Sequence, residues 1–270
     1  MQTRPSEFPY VYPIKTAQNK CKERYIGFRV ISKIPSLFFP NKDVYTLCYA
    51  YFRWFDDIVD SLRLHPEESR FIINRQKRFL SELYSEEPPE EISTEELFLA
   101  HLVRFDRTQG KNLRQDLENL VGSMEFDADR RGKVISSQEL EQYIDDNVIP
   151  YVNIASSILN VKDFPKQDLI EIARAGFVVN YLYDLREDLT LGYINISSEE
   201  IEQYEIYLEN PDSREVQSWI RDKMNSLRDT LFNNPFTDLP LMAKVIAKSM
   251  TWKRRKKFRK IESNNYHPII

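Results

Sequence analysis

The chain has little of what most fold classes need. Its 270 residues include only six glycines, and no run alternates apolar and polar residues for long, which leaves an all-α protein as the expectation. Two cysteines, Cys21 and Cys48, make neither a disulfide framework nor a zinc pattern, so a reducing cytoplasm is the default setting. No stretch is apolar for long enough to span a bilayer. The first fifteen residues are Pro-rich and polar, without the apolar core of a signal peptide. The three histidines, His65, His101 and His267, form no pattern. A net charge of −4 lacks the basic footprint of a nucleic-acid binder. No Gly-rich dinucleotide motif indicates NADPH.

What the chain does have is acid in apolar surroundings. Arg53-Trp54-Phe55-Asp56-Asp57-Ile58-Val59-Asp60 is one such stretch, and Asn180-Tyr181-Leu182-Tyr183-Asp184-Leu185-Arg186-Glu187-Asp188 is the other. Both lie in helical sequence, where residues four apart share a face. Asp56 and Asp60 therefore stand one above the other, with Asp57 one residue round, and Asn180, Asp184 and Asp188 form a second ladder. Like charges at this spacing destabilise an isolated helix, and carboxylates embedded among aromatic residues require a compensating cation. Hard oxygen ligands suit Mg2+, which binds through a few carboxylates plus substrate phosphates. Two facing ladders would hold Mg2+ against a diphosphate, nearby arginines would neutralise the leaving group, and a dry aromatic pocket would stabilise the carbocation left behind. Taken alone, a single run of this kind is usually a solvated helix face; two, well separated, carry the chemistry.

The punctuation predicts about eight to ten helices in one bundle. Pro5, Pro9 and Pro13 make residues 1–16 an extended arm, and residues 17–270 a single domain. Helices are expected over Ala17–Lys33, from Pro40-Asn41 through Arg63, from Pro66 to Tyr84, over Asn112–Arg130, from Pro165 to Gly192, and over Leu239–Ile261. Capping boxes are read at Ser93–Glu96, Ser136–Glu139 and Ser197–Glu200, with an acidic relative at Asp212–Glu215. Pro150 is a candidate kink. Gly122 and Gly176 fall inside helices, either for close packing or to leave space beside the helix for a ligand.

On these residues the sequence resembles the squalene/phytoene synthases, which have the class I terpenoid-synthase fold, a helical bundle around a central cavity. The matching stretches are Tyr45–Asp60, Gly122–Asp127 and Asn180–Gly192, and the basic end, Lys253–Lys260, is similar to that of bacterial dehydrosqualene synthases. The resemblance implies Mg2+-dependent condensation of two prenyl diphosphates. Asp56, Asp60, Asp184 and Asp188 are then catalytic and metal-binding, Asp57 and Asn180 further metal ligands, and Arg53 and Arg186 diphosphate-binding.

The chain departs from that pattern where bulk or polarity matters. Phe177 stands where the family has Gln, Tyr183 where it has Arg, Asp145 where it has Tyr, and Ile149 and Val152 where it has Gly. After the second acidic stretch the family's Gly-Arg-x-Tyr-Leu-Pro becomes Gly192-Tyr193-Ile194-Asn195-Ile196-Ser197. Phe52, Gly122, Val152, Gly176, Phe177 and Tyr183 are expected to line the cavity, narrowed towards one prenyl chain. Ionisation survives these changes better than condensation does, so a class I cyclase or lyase acting on one prenyl diphosphate is the alternative, and a degenerate, non-enzymatic member a third. In Lys253–Lys260, seven of eight residues are basic. This is read either as a solvated helix end or as a peripheral docking site for anionic lipid, with Trp252 and Phe258 as apolar anchors. Nothing in the sequence sets an oligomeric state.

Overall fold

The computed structural model describes residues 14–19, 41–60, 66–85, 92–160, 166–233 and 241–269. A short helical segment, 14–19, begins inside the expected arm, and the rest of the expected helix to Lys33 lies outside the described residues. The following helices are α1 (Lys42–Val59), α2 (Pro66–Tyr84), α3 (Glu96–Gln109), α4 (Arg114–Arg130), α5 (Ser137–Leu159), α6 (Lys166–Leu191), α7 (Ser198–Tyr204), α8 (Arg214–Arg228) and α9 (Leu241–Ser263), with a π-helical turn at Asp229–Asn233. Among the described residues there is no strand and no helix long and apolar enough to cross a membrane.

The caps that end these helices follow from short-range chemistry. Ser136 and Ser197 each form a full capping box with a Glu three residues on, satisfying two orphan amides at a time. Ser93 and Glu96 make the same reciprocal pair, at 2.8 and 3.2 Å. The expected Asp212 cap is corrected: Ser213 accepts from the Val216 amide instead, because its side chain is the one at the N-cap position. α5 runs on through Pro150. Gly192 ends α6 with φ +87°, a left-handed turn in which glycine carries no Cβ penalty.

Packing places α6 centrally. It lies against α5 on one flank and α9 on the other, with α8 and the π-helical turn also in contact, while α1 packs on α3 and α5 and α4 on α2 and α5. A polar tie runs through the first three helices. Tyr51 donates to Gln76 at 2.9 Å, Gln76 to Glu96 at 2.8 Å, and Arg75 to Glu96 at 2.9 Å. Each of these groups would be costly to bury unpartnered. The consequence for function is that α1 and α6, the carriers of the two acidic stretches, both border one cavity, with α4, α5 and α9 completing its wall.

Candidate active site

The cavity has a volume of about 640 Å3. Its α1 wall is Cys48, Tyr49, Phe52, Arg53 and Asp56, successive positions on one helical face. Leu120 and Met124 come from α4, Asn147, Val148, Tyr151 and Ile154 from α5, and Ile172, Ala173, Phe177 and Asn180 from α6. The lining is thus largely apolar, and its charged and amide residues are Arg53, Asp56, Asn147, Asn180 and three cations of α9, Lys253, Arg254 and Lys257.

The first acidic stretch ends α1. Asp60 is the residue after its last turn, with its amide still bonded to the Asp56 carbonyl at 2.9 Å, so the expected stacking of Asp56 and Asp60 persists; the rest of the helix expected to Arg63 lies outside the described residues. Arg53 pairs with Asp56 at 2.7 Å and also with Asp57. Burial drives the Asp56 carboxyl upward, Asp127 and Asp57 add repulsion, and Arg53 only partly opposes them. Asp60 is likewise raised, by burial and then by Asp56 and Asp127, against a 3.3 Å hydrogen bond from Tyr193.

The second stretch lies on α6. Asp184 accepts from Lys257 at 2.7 Å. Asp188 is pushed up to about 7 by burial, with Asp184 and Asp127 adding repulsion against a 2.9 Å hydrogen bond from Asn195 and the charge of Arg130. Asp127 of α4 therefore acts on Asp56, Asp60 and Asp188 together, which brings both motifs into one electrostatic neighbourhood. Arg130 holds Asp127 at 2.6 Å and lies 4.5 Å over the Tyr143 ring. The loop carrying Tyr193 and Asn195 is pinned to the end of α4 by three bonds, Gly132 N–H to Gly192 O at 2.7 Å, Arg131 Nε to Leu191 O at 2.7 Å and Arg130 to Ile194 O at 3.2 Å. One short loop thereby reaches both acidic stretches.

The basic run of α9 turns one face inward. Lys253, Arg254, Lys257 and Lys260 are spaced as one helical stripe. The first three line the cavity, and Lys260 donates to the Tyr183 hydroxyl at 2.8 Å. Phe258, expected as a membrane anchor, is fully buried and packs edge-on against Phe232 at 5.1 Å; burial in the core removes it from that role. Trp252, Lys256 and Arg259 face outward.

Several sequence expectations are relocated. Phe52 and Phe177 line the cavity. Val152 does not: positions 147, 148, 151 and 154 define the cavity face of α5, and Val152 lies round the helix from it, packed in the core. Gly122 is also absent from the lining and has open space beside it. Gly176 shares the lined face of α6, but the Arg254 side chain lies across it, 3.1 Å from where a Cβ would stand. Tyr183 borders a separate hollow of about 340 Å3 with Asp184, Arg186 and Glu187. Arg186 pairs with Asp212, which aims it away from the cavity, and Asp57 is held by Arg53. Asp145 pairs with Arg174. Asp127 closes the matching stretch Gly122–Asp127, and Tyr193 and Asn195 lie in the departing segment after Gly192, but the sequence assigns none of them, nor Arg130, a role in the site. Lys253, Arg254 and Lys257, expected on a solvated or lipid-docking helix end, line the cavity instead.

Among the described residues no three Asp, Glu, His or Cys side chains converge as a ready-made metal site. Magnesium does not require that, since it keeps waters and takes one or two carboxylates plus phosphate oxygens. The donors fit such an ion. They are hard oxygens under mutual repulsion, and beside Asp188 the buried Oδ1 of Asn195 has no hydrogen-bond partner, an acceptor that a hydrated cation would satisfy.

The model of the squalene/phytoene synthase family matches residues 36–230. No curated protein matches the chain by sequence. Among solved structures, the squalene synthase HpnC from Alicyclobacillus acidocaldarius is 16% identical with a TM-score of 0.73, over 98% of each chain. A dehydrosqualene synthase in complex with ligand is also 16% identical, with a TM-score of 0.76 over 97% of this chain and 90% of that one. At such identity the structures speak for a shared fold, that of the helical terpenoid synthases, and the family model speaks for descent. Its match spans well over half of the 270 residues, including both acidic stretches and Asp127, and the chain belongs to the squalene/phytoene synthase family.

Proposed function

We infer that the protein ionises an allylic prenyl diphosphate in a Mg2+-dependent reaction and condenses two prenyl diphosphates, as the squalene/phytoene synthases do, to an isoprenoid hydrocarbon or alcohol. The observation that carries this reading is that Asp56 and Asn180, one residue from each acidic stretch, line the same largely apolar cavity as Lys253, Arg254 and Lys257 of α9, with Lys257 reaching Asp184 outside that lining. Asp56, Asp60, Asp184 and Asp188, with Asn180, would hold the metal, which when bound supplies Lewis-acid charge against the leaving diphosphate. Arg53, Lys253 and Arg254 add fixed positive charge where the diphosphate departs with the electron pair of the broken C–O bond. Leu120, Met124, Val148, Ile154 and Ile172 take the prenyl chain and exclude water. The Phe52, Tyr151 and Phe177 rings border the same space, where their π-faces favour the allylic cation.

A second reading, a cyclase or lyase acting on one prenyl diphosphate, is favoured by Phe177. Its ring stands edge-on to Tyr143 at 5.7 Å and fills space one turn from Asn180. Incubation with C10, C15 and C20 prenyl diphosphates and Mg2+, with and without NADPH, followed by pyrophosphate release and product mass, separates the two. A product with twice the substrate's carbons supports condensation and one of unchanged carbon number supports the single-substrate reading. Absence of pyrophosphate release from every substrate, or undiminished release in EDTA, ends the metal-dependent reading.

A further inference from the structure

Lys257 sits where three features meet. Its Nζ donates to Asp184 Oδ2 at 2.7 Å, stands 4.5 Å from the centre of the Tyr183 ring, and belongs to the wall of the main cavity. Tyr183 is itself held by a second lysine. Lys260, one turn along α9, donates to its hydroxyl at 2.8 Å and lies 5.1 Å from the ring centre. The order Lys260, Tyr183, Lys257, Asp184 is thus a contiguous chain from the surface to the second acidic stretch. An ammonium has three donors. One goes to Asp184, the ring face receives the charge without using a lone pair, and the others are available on the cavity side.

We propose that Lys257, held in place by Tyr183, is a diphosphate-binding residue of the second acidic motif, supplying from α9 the cation that position 183 does not supply from α6. The assignment rests on the diphosphate reading given above. It gives the tyrosine a positive role. A flat ring at 183 carries no charge of its own but locates one contributed by the neighbouring helix, next to the carboxylate that repels an anionic leaving group. Arg186, the other cation of this stretch, is committed to Asp212 and does not compete.

The test is direct binding of inorganic pyrophosphate, by calorimetry, with Mg2+ and separately in EDTA. Lys257→Gln is expected to weaken binding on the order of tenfold, the loss of one charge-assisted hydrogen bond. Lys256→Gln, which removes the same charge from the exposed side of the same helix, serves as the control and is expected to bind as the unmodified chain does. Tyr183→Leu should weaken binding by a smaller factor, because Lys257 persists but is no longer located. Adding Tyr183→Arg to Lys257→Gln should recover most of the lost affinity by returning a cation to the same place, an outcome a merely structural role for Lys257 does not produce. Unchanged pyrophosphate affinity in Lys257→Gln, or an equal loss in Lys256→Gln, overturns the assignment while leaving the diphosphate reading intact. If the unmodified protein binds no pyrophosphate in either condition, the diphosphate reading falls and takes this assignment with it.

Discussion

Gly122 and Gly176 look alike in the sequence, one glycine inside each of two helices, and the structure gives them opposite consequences. A methyl group at Gly122 meets nothing within 4 Å, so Gly122→Ala is expected to stabilise the fold by roughly 0.5–1 kcal/mol through helix propensity alone, read as a raised urea midpoint. At Gly176 the same methyl lands 3.1 Å from Arg254 Cγ. The long arginine side chain can give way, so stability should change little, but Arg254 would leave its place in the cavity wall and turnover should fall. The carboxylates obey a different logic. Asp56 is held above its ordinary range in the folded chain, so its ionised form opposes folding, a penalty absent below about pH 4 and complete once pH has passed through the raised pKa. Asp56→Asn should therefore be more stable than the unmodified protein at pH 8 in EDTA and equal to it at pH 3.5. Its Mg2+-dependent turnover should drop on the order of a hundredfold or more. Loss of folding, judged by circular dichroism, would count against a catalytic role for Asp56.

At the scale of elements, the first three helices are tied through a carboxylate with the opposite sign of shift. Burial pushes Glu96 up, but the hydrogen bonds from Arg75, the Ser93 amide and Gln76 outweigh it and hold it at about 2. A depressed carboxyl stabilises the fold above its unfolded value near 4.5 and loses that contribution as pH falls towards 2. Glu96→Gln should cost about 2 kcal/mol at pH 6, the order expected for a buried charged acceptor, and the gap to the unmodified protein should close as the pH approaches 2. An undiminished gap at acid pH would show that packing rather than charge is responsible. α9 is the element whose two faces separate two properties. Lys256→Gln with Arg259→Gln alters two exposed residues outside the cavity lining, and if α9 docks on anionic lipid this pair should lower sedimentation with anionic vesicles at low salt and spare turnover in detergent. Arg254→Gln with Lys257→Gln alters the cavity face and should spare vesicle binding relative to the first pair while losing turnover. A first pair that sediments with vesicles as strongly as the unmodified chain removes lipid docking from this helix.

Across the whole molecule, legibility in the sequence followed the range of the interaction. Most local signals held, the Asp212 cap, displaced by one residue to Ser213, being the exception. Ser136, Ser197 and Gly192 are read from a few neighbours and stand where their chemistry places them, and the two aspartate ladders are a matter of 3.6-residue spacing. Long-range placements were not legible. Nothing in the sequence says that Asp127 of α4 acts on both ladders, that the loop after α6 is tied to the end of α4, or that Lys257 of α9 reaches Asp184, because each depends on how three or more helices pack. Val152 failed as a cavity residue for the same reason, since a substitution on a helix known from resemblance does not reveal which way the helix is turned. Phe177 is the departure that lines the cavity, and it supports the sharpest expectation for the whole molecule. Its ring lines the wall one turn from Asn180 and packs edge-on against Tyr143, itself stacked on Phe126 at 5.5 Å. Removing the ring widens the cavity beside Asn180. Because the side chain is only partly buried, Phe177→Ala should cost less than the roughly 3–5 kcal/mol of a fully buried phenylalanine. If Phe177 limits the cavity to one chain, as the single-substrate reading has it, mass spectrometry of products from C15 and C20 prenyl diphosphates should show the variant shifted from products of unchanged carbon number to products of doubled carbon number; under the condensation reading both proteins give doubled products. A variant with lower turnover and an unaltered product ratio would make Phe177 a packing residue, and the choice between one chain and two would then rest with the α4 and α5 walls.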